Sequence, residues 1–437
     1  MADQSMIRIT KEINELQRNQ DLSLAVSCND ANVRSIRTMI IGPPDTPYEF
    51  GFFEFSMKFD QDYPRKAPVV LSLTTNSGRT RFNPNIYSTG KVCLSILGTW
   101  RGESGEQWSA AQGMESILLS IQSLMSANPY ENEPGYENAN MEEDIRRKPL
   151  YVEKIRHETL RVAVIQRLEG YLNLSPSGKP KTPHLLDYGL ENGTVPTHPF
   201  AALCKSRFLW YYSSYLATVE LGQRNTVVDQ PFTNMPFETK DNIMDGKFNY
   251  PALAKRLENI KNAIDAETLQ WAEEGAIAAK NEHFVAVNLA NKFIQTVNAL
   301  KYVDFRHDLT LQDGNPFTWV LTYFGSPTSD LDGGFFRIKL NFNIRFPDEQ
   351  PRVLMDPPIF HHRVAPDGTL CYFPNPAKQE DIKSHLEAIV AALEEENPTY
   401  DPRSRVNPKA FALFWGSPQD RKTYKRLLRR SVEQMME

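Results

Sequence analysis

The sequence predicts an α+β chain in which one domain occurs twice, each copy an antiparallel meander flanked by helices, with a helical extension and linker between them. Three repeated blocks and a shared order of periodicities carry this expectation. Gly42, Gly51-Phe52-Phe53, Phe59, Tyr63-Pro64 and Pro68 return as Gly325, Gly334-Phe335-Phe336, Phe342, Phe346-Pro347 and Pro351, every pair 283 positions apart. Phe82, Gly90 and Cys93 then return as Phe360, Gly368 and Cys371 at 278, and Asn128-Pro129 returns as Asn397-Pro398 at 269. The second copy is therefore shorter by five residues in one loop and by nine in a later one.

The elements follow in order. Met6, Ile9, Ile13 and Leu16 lie at helical spacing, so residues 5–18 are expected as an amphipathic helix with Arg8, Lys11 and Glu12 on its outer side. Val33 to Ile41, Gly51 to Phe59 and Val69 to Thr74 are rich in β-branched and aromatic residues and are punctuated by Gly-Pro-Pro and Tyr-Pro, which reads as a meander. Ser109 to Ser126 is expected as a helix with Ile117, Leu118, Ile121 and Leu124 on its apolar side. In the second copy the strands are Trp319 to Phe324, Gly334 to Phe342 and Arg352 to Met355, and the helix is Asp381 to Glu395. Between the copies, Ser175 to Pro183 has linker composition, whereas Phe208 to Leu221 and Pro251 to Ala279 have helical spacing. The expected boundaries are residues 1–168, 169–284 and 285–437.

Composition narrows the function. With 437 residues, 41% hydrophobic and 24% charged, the chain has the balance of a globular protein, and no apolar run approaches the ~20 residues of a membrane span. The net charge of −5 and the lack of a long basic stripe make nucleic acid an unexpected partner. The first residues lack the basic-then-apolar order of a secretory signal, which leads to an expectation of a cytosolic or nuclear, reducing location. Cys28, Cys93, Cys204 and Cys371 are too far apart for a disulfide scaffold or paired zinc ligands, so a functional cysteine is expected to act as a thiol. Cys28 and Cys204 read as small packing residues.

The segment from Arg81 through Asn83-Pro84-Asn85 to Gly90-Lys-Val-Cys93-Leu-Ser-Ile-Leu97 concentrates the chemistry. It resembles the active-site loop of ubiquitin-conjugating (UBC) enzymes, in which a His-Pro-Asn tripeptide precedes Gly-x-Val/Ile-Cys-Leu-x-Ile-Leu and a downstream Trp, here Trp108, placed with Ser109 at the start of the next helix. The turns at Gly42 and Tyr63-Pro64 and the Asn128 to Pro134 loop agree with that resemblance. Asn83 stands where most members have His, which is similar to the large conjugating enzyme charged by the non-classical activating enzyme and to the conjugating domain of a giant inhibitor-of-apoptosis ligase. The resemblance implies two UBC folds with four-stranded meanders, a thioester to ubiquitin or a relative on Cys93, transfer to lysine, and no metal or organic cofactor. It further implies Asn85 as amide donor, Glu133 as the acidic gate, Arg8 and Lys11 as contacts for the activating enzyme, and a ligase and protein substrates as further partners.

These roles make chemical sense. A thiolate is the nucleophile that accepts an acyl group, negative charge builds on the thioester oxygen during amine attack, and the attacking lysine must lose a proton. Each residue also has a plain structural reading: Asn85 can simply satisfy turn backbone, Glu133 can be a solvated charge, and Arg8 and Lys11 can be the wet face of a helix. In the second copy Cys371 keeps its place, but His361, His362 and Arg363 replace Asn83, Pro84 and Asn85, and the Trp-bearing segment is missing. Asp401 is the candidate for its gate. Cys371 is read as a second acyl-carrying cysteine, a relay station after Cys93, or part of a catalytically silent copy kept for ubiquitin or partner binding. A non-catalytic ubiquitin-binding scaffold is the remaining alternative.

Overall fold

The computed structural model describes all residues except 1–2, 20, 30–31, 103–104, 182–197, 240–242, 302–306 and 436–437. The chain divides into two compact units. The first comprises Met1–Cys204 and Thr218–Ile260; the second comprises Lys205–Ala217 and Lys261–Glu437.

Unit one begins with α1 (Gln4–Arg18), capped by Asp3, whose carboxylate accepts from the Ser5 amide. The strands β1 (Leu24–Asn29), β2 (Asn32–Ile41), β3 (Phe52–Lys58) and β4 (Val69–Ser72) form an antiparallel sheet in sequential order. Pairing Ile40 with Phe53 and Phe55 with Ser72 sets the alternation that turns Ile36, Ile40, Phe53, Phe55 and Met57 into the core. That core is closed by Ile9 and Ile13 of α1 and by Met114, Ile117, Leu118 and Ile121 of α2 (Met114–Leu124). After α3 (Glu142–Glu158) the helix continues through a wider-turned stretch, Thr159–Gln166, into α4 (Arg167–Tyr171). This stretch covers the outer side of β3. There Thr159 passes so close to Gly51 that an added Cβ would come within 2.7 Å of its methyl group, and Arg167 pairs with Glu54 at 2.5 Å.

Helices α5 (Ala201–Asn225) and α6 (Tyr250–Lys280) contribute residues to both units. Between them, Met235, Phe237 and Met244 join the core of unit one. Phe237 meets Tyr130, Tyr136 and Tyr151 edge-on at 5.2, 5.6 and 5.4 Å between ring centres. The neighbouring Glu238 is locked to Lys154 of α3 at 2.6 Å, with both side chains excluded from water.

Unit two repeats the plan with α7 (Phe284–Lys301), β5 (His307–Leu311), β6 (Thr318–Phe324), β7 (Phe335–Asn341) and β8 (Arg352–Met355), again antiparallel and sequential, followed by α8 (Ile382–Glu394), α9 (Pro408–Trp415) and α10 (Pro418–Glu433). Its core gathers Trp319, Leu321, Phe336, Ile338 and Leu340 from the sheet with Leu386 and Ile389 from α8.

The structure departs from the sequence reading in several places. Glu12 is not on the outer side of α1: it is 6% exposed and accepts hydrogen bonds from the Tyr63 hydroxyl at 2.6 Å and the Met114 amide at 2.9 Å. That bond also explains why α2 starts at Met114 rather than at Ser109, since the Glu12 carboxylate receives its first free amide. Trp108 lies before the helix and donates to the Pro64 carbonyl at 2.7 Å. The two compact units divide within α5 and α6, with residues 205–217 and 261–437 in unit two.

Removing one partner of the enclosed Lys154–Glu238 pair strands a charge. Lys154→Met is therefore expected to cost about 3–5 kcal/mol, read as an earlier urea transition of unit one. Lys11→Ala, at a side chain 67% exposed, is expected to stay within about 0.5 kcal/mol.

Candidate active site

Asn83 organises the loop. Its Oδ1 accepts the Asn85 amide at 2.9 Å, while its Nδ2 donates to the Tyr48 hydroxyl at 2.9 Å and to the Leu124 carbonyl at 2.8 Å. Tyr48, fully buried, donates in turn to the Phe82 carbonyl at 2.7 Å. The turn so fixed receives the cysteine strand: the Cys93 amide donates to the Asn85 carbonyl at 2.8 Å, and Asn85 Nδ2 donates to the Cys93 carbonyl at 3.2 Å. Asn85 thus orders the cysteine's own backbone, and its Oδ1 is buried without a hydrogen-bond partner among the described residues. Gly90 closes the loop with φ of +91°, and a Cβ there would meet the Ser72 carbonyl at 2.6 Å.

Cys93 is 3% exposed, flanked by the half-buried Asn85, Tyr87 and Leu94. Tyr87 sits on the turn that leads to the cysteine, and burial, followed by charge on Cys93, pushes the phenol's pKa up. Glu133 follows the short helical turn Pro129–Asn132 and is half-buried; its Oε2 lies 3.3 Å from Arg81 Nη2. Burial raises the Glu133 pKa and Arg81 opposes that shift, so the carboxyl is poised closer to neutrality than a solvated one. Arg81 thus ties Glu133 to the turn that bears Asn85, and that turn holds Cys93. Sequence reasoning missed Arg81 and Tyr87 because their contacts are set by the fold and not by spacing.

Arg8 and Lys11 do not join this cluster. Arg8, half-buried, is held by Glu12 and by the Gln112 carbonyl at 3.4 Å, and Lys11, exposed, lies 3.6 Å from Glu15.

The second copy reproduces the backbone with different side chains. The Cys371 amide donates to the Arg363 carbonyl at 2.9 Å, and His361 Nδ1 accepts the Arg363 amide at 3.1 Å, as Asn83 does for Asn85. Cys371, however, has no exposed surface, and burial pushes its thiol pKa up. Arg363 Nη1 lies 3.9 Å from the sulfur, and its guanidinium rests on the Phe373 ring at 4.7 Å. Residues of α5 belonging to unit two close the place. Trp210 meets Phe373 at 5.9 Å, Tyr211 donates to the Arg403 carbonyl at 2.8 Å, and the charge of Arg207 acts on the thiol. Asp401 is engaged by Arg403 at 2.9 Å. His361 and His362 are enclosed, and burial holds His361 neutral with a pKa lowered to about 3. Among the described residues no group of three His, Cys, Asp or Glu is arranged to hold a metal, and no helix is long and apolar enough to cross a membrane. Cys204 is packed as expected, its thiol pushed up to about 12, whereas Cys28 is only half-buried.

Comparison with known proteins gives the same family for both copies. Residues 8–159 and 292–426 match the family described as "Ubiquitin-conjugating enzyme". The chain is 42% identical over 208 residues to "Ubiquitin-conjugating enzyme E2 Z" of Xenopus tropicalis, covering 47% of this chain and 62% of that protein. It is 38% identical over 263 residues to the Homo sapiens protein of that name, covering 60% and 64%. To the human "Dual E2 ubiquitin-conjugating enzyme/E3 ubiquitin-protein ligase BIRC6" it is 41% identical over 160 residues, 36% of this chain and 3% of that one. It thus spans a little over three-fifths of the first two relatives' length. With the matched regions amounting to more than half of the chain and each containing its own sheet and cysteine loop, the chain belongs to the ubiquitin-conjugating enzyme family.

Proposed function

We propose that the chain carries ubiquitin or a ubiquitin-like modifier as a thioester on Cys93 and transfers it to lysine amines of protein substrates. The observation that supports this best is the hydrogen-bonded loop that holds Cys93 between Asn85, Tyr87 and the Glu133 loop. In the first step the Cys93 thiolate attacks the modifier's thioester on an activating enzyme, whose own thiolate leaves. In the second, a lysine amine attacks the Cys93 thioester carbonyl; the C–N bond forms, the C–S bond breaks and its electron pair returns to sulfur. The amine's surplus proton passes to Glu133 or to solvent. Asn85 serves by ordering the loop and by presenting an amide donor near the developing oxyanion. The half-buried Arg8 and the exposed Lys11 suit contact with the activating enzyme, and a ligase and a cytosolic or nuclear setting belong to the same reading.

The second copy enters as a member that does not charge. Arg363 in place of the amide donor, complete burial and the raised thiol pKa all oppose acyl transfer to Cys371, so we favour a single reaction centre over a relay.

A charging assay with activating enzyme, ATP and ubiquitin on a non-reducing gel tests this. Cys93→Ala is expected to abolish the thiol-sensitive adduct and Cys371→Ala to leave it intact. A surviving adduct on Cys93→Ala would overturn the assignment, and loss of transfer without loss of charging in Cys371→Ala would restore the relay. Asn85→Ala is expected to slow discharge to free lysine by about 10²–10³-fold. In the native protein a maleimide is expected to leave Cys371 unmodified, and Trp210→Ala to speed its labelling; mass spectrometry of the labelled peptides checks both.

A further inference from the structure

Arg81 is 6% exposed and reaches three parts of the site with one guanidinium. Its Nη2 donates to the Pro84 carbonyl at 2.5 Å and lies 3.3 Å from Glu133 Oε2, and its guanidinium carbon stands 4.8 Å from the centre of the Tyr87 ring. Tyr87 is half-buried on the turn that leads to Cys93, its amide donating to the Lys91 carbonyl at 2.9 Å. In the second copy the place of Arg81 is taken by Ile359, an enclosed apolar residue 278 positions on, and Asp401 turns to Arg403 instead. The guanidinium is therefore present where the cysteine retains its amide donor and missing where the donor is lost. Packing alone does not require it, since the same backbone closes over isoleucine.

We propose that Arg81 is a positioning residue for the transfer step, holding the Glu133 carboxylate, the Tyr87 ring and the turn that bears Asn85 in one arrangement around the Cys93 thioester. This rests on the reading of Cys93 as the acyl carrier. Glu133 is faced by Arg81 and by the phenols of Tyr87 and Tyr151, both of which burial keeps protonated. Arg81 is thus the group that holds the half-buried carboxyl ionised and able to take a proton. Without it, burial favours the neutral acid, and the acid limb of the transfer rate must move to higher pH.

The test separates charging from discharge. Wild type, Arg81→Met and Arg81→Lys are loaded with ubiquitin and chased with free lysine between about pH 5.5 and 9. Charging is expected to change by less than about twofold, whereas Arg81→Met discharges on the order of tenfold more slowly near neutral pH with its acid limb about one unit higher. Arg81→Lys is expected to restore part of both. In a Glu133→Gln background, Arg81→Met should add no further shift of the limb. Equal loss of charging and discharge, an unmoved acid limb in Arg81→Met, or the same limb shift with and without Glu133 would overturn the proposal. If Arg81→Met fails to melt cooperatively, Arg81→Lys decides: its limb must lie close to the wild-type position while its rate falls. A wild-type protein that forms no thioester would sink the Cys93 reading itself, a result distinct from all of these.

Discussion

In both copies the cysteine is held by the same backbone bond, from its own amide to the carbonyl of the residue that ends the preceding turn, at 2.8 Å for Cys93 and 2.9 Å for Cys371. What lies directly over the sulfur differs with the side chain that turn residue carries. With Asn85, the amide folds back onto the cysteine's carbonyl and leaves the sulfur beside Tyr87. With Arg363, a guanidinium crosses over the sulfur onto Phe373. The backbone bond is indifferent to the substitution, so the same fold surrounds the two cysteines with different groups, which is why shared topology alone says little about shared activity.

The extension between the copies serves unit one directly. Phe237 inserts among Tyr130, Tyr136 and Tyr151, and the first two of these bracket the loop carrying Glu133. The buried Lys154–Glu238 pair then fixes the segment's register, since an ion pair without water access tolerates no slippage. Charge inside the unit has a similar ordering role at Glu12, which joins α1, the Tyr63 turn and the start of α2 through three donors.

Legibility in the sequence followed contact range. The duplicated landmarks, the meanders and the Cys93 loop were readable because glycines, prolines and alternating apolar residues act locally. Strands β1 and β5 were not, being mostly half-buried or exposed, with no clean alternation of apolar residues. Glu12 looked like surface because a charged residue on a helix is normally solvated, and only the distant Tyr63 and Met114 give it a reason to be inside. Arg81 and Glu133, Phe237 and Tyr130, and Tyr211 and Arg403 are pairs that the fold alone brings together, so no spacing rule announces them. The inequality of the two cysteines was half legible: the altered tripeptide was visible, whereas the closure by Trp210 was not.

That closure has a consequence for how the protein is made. Residues 205–217 leave the ribosome well before Phe373 and Arg403, which Trp210 and Tyr211 meet in the finished unit, so these two contacts must wait while the chain behind them is synthesised. Unit two therefore cannot fold in the order of translation as a bead added after the first. Its completion draws on a segment born with its predecessor, and a nascent chain interrupted between the two sheets would lack both partners of that aromatic pair.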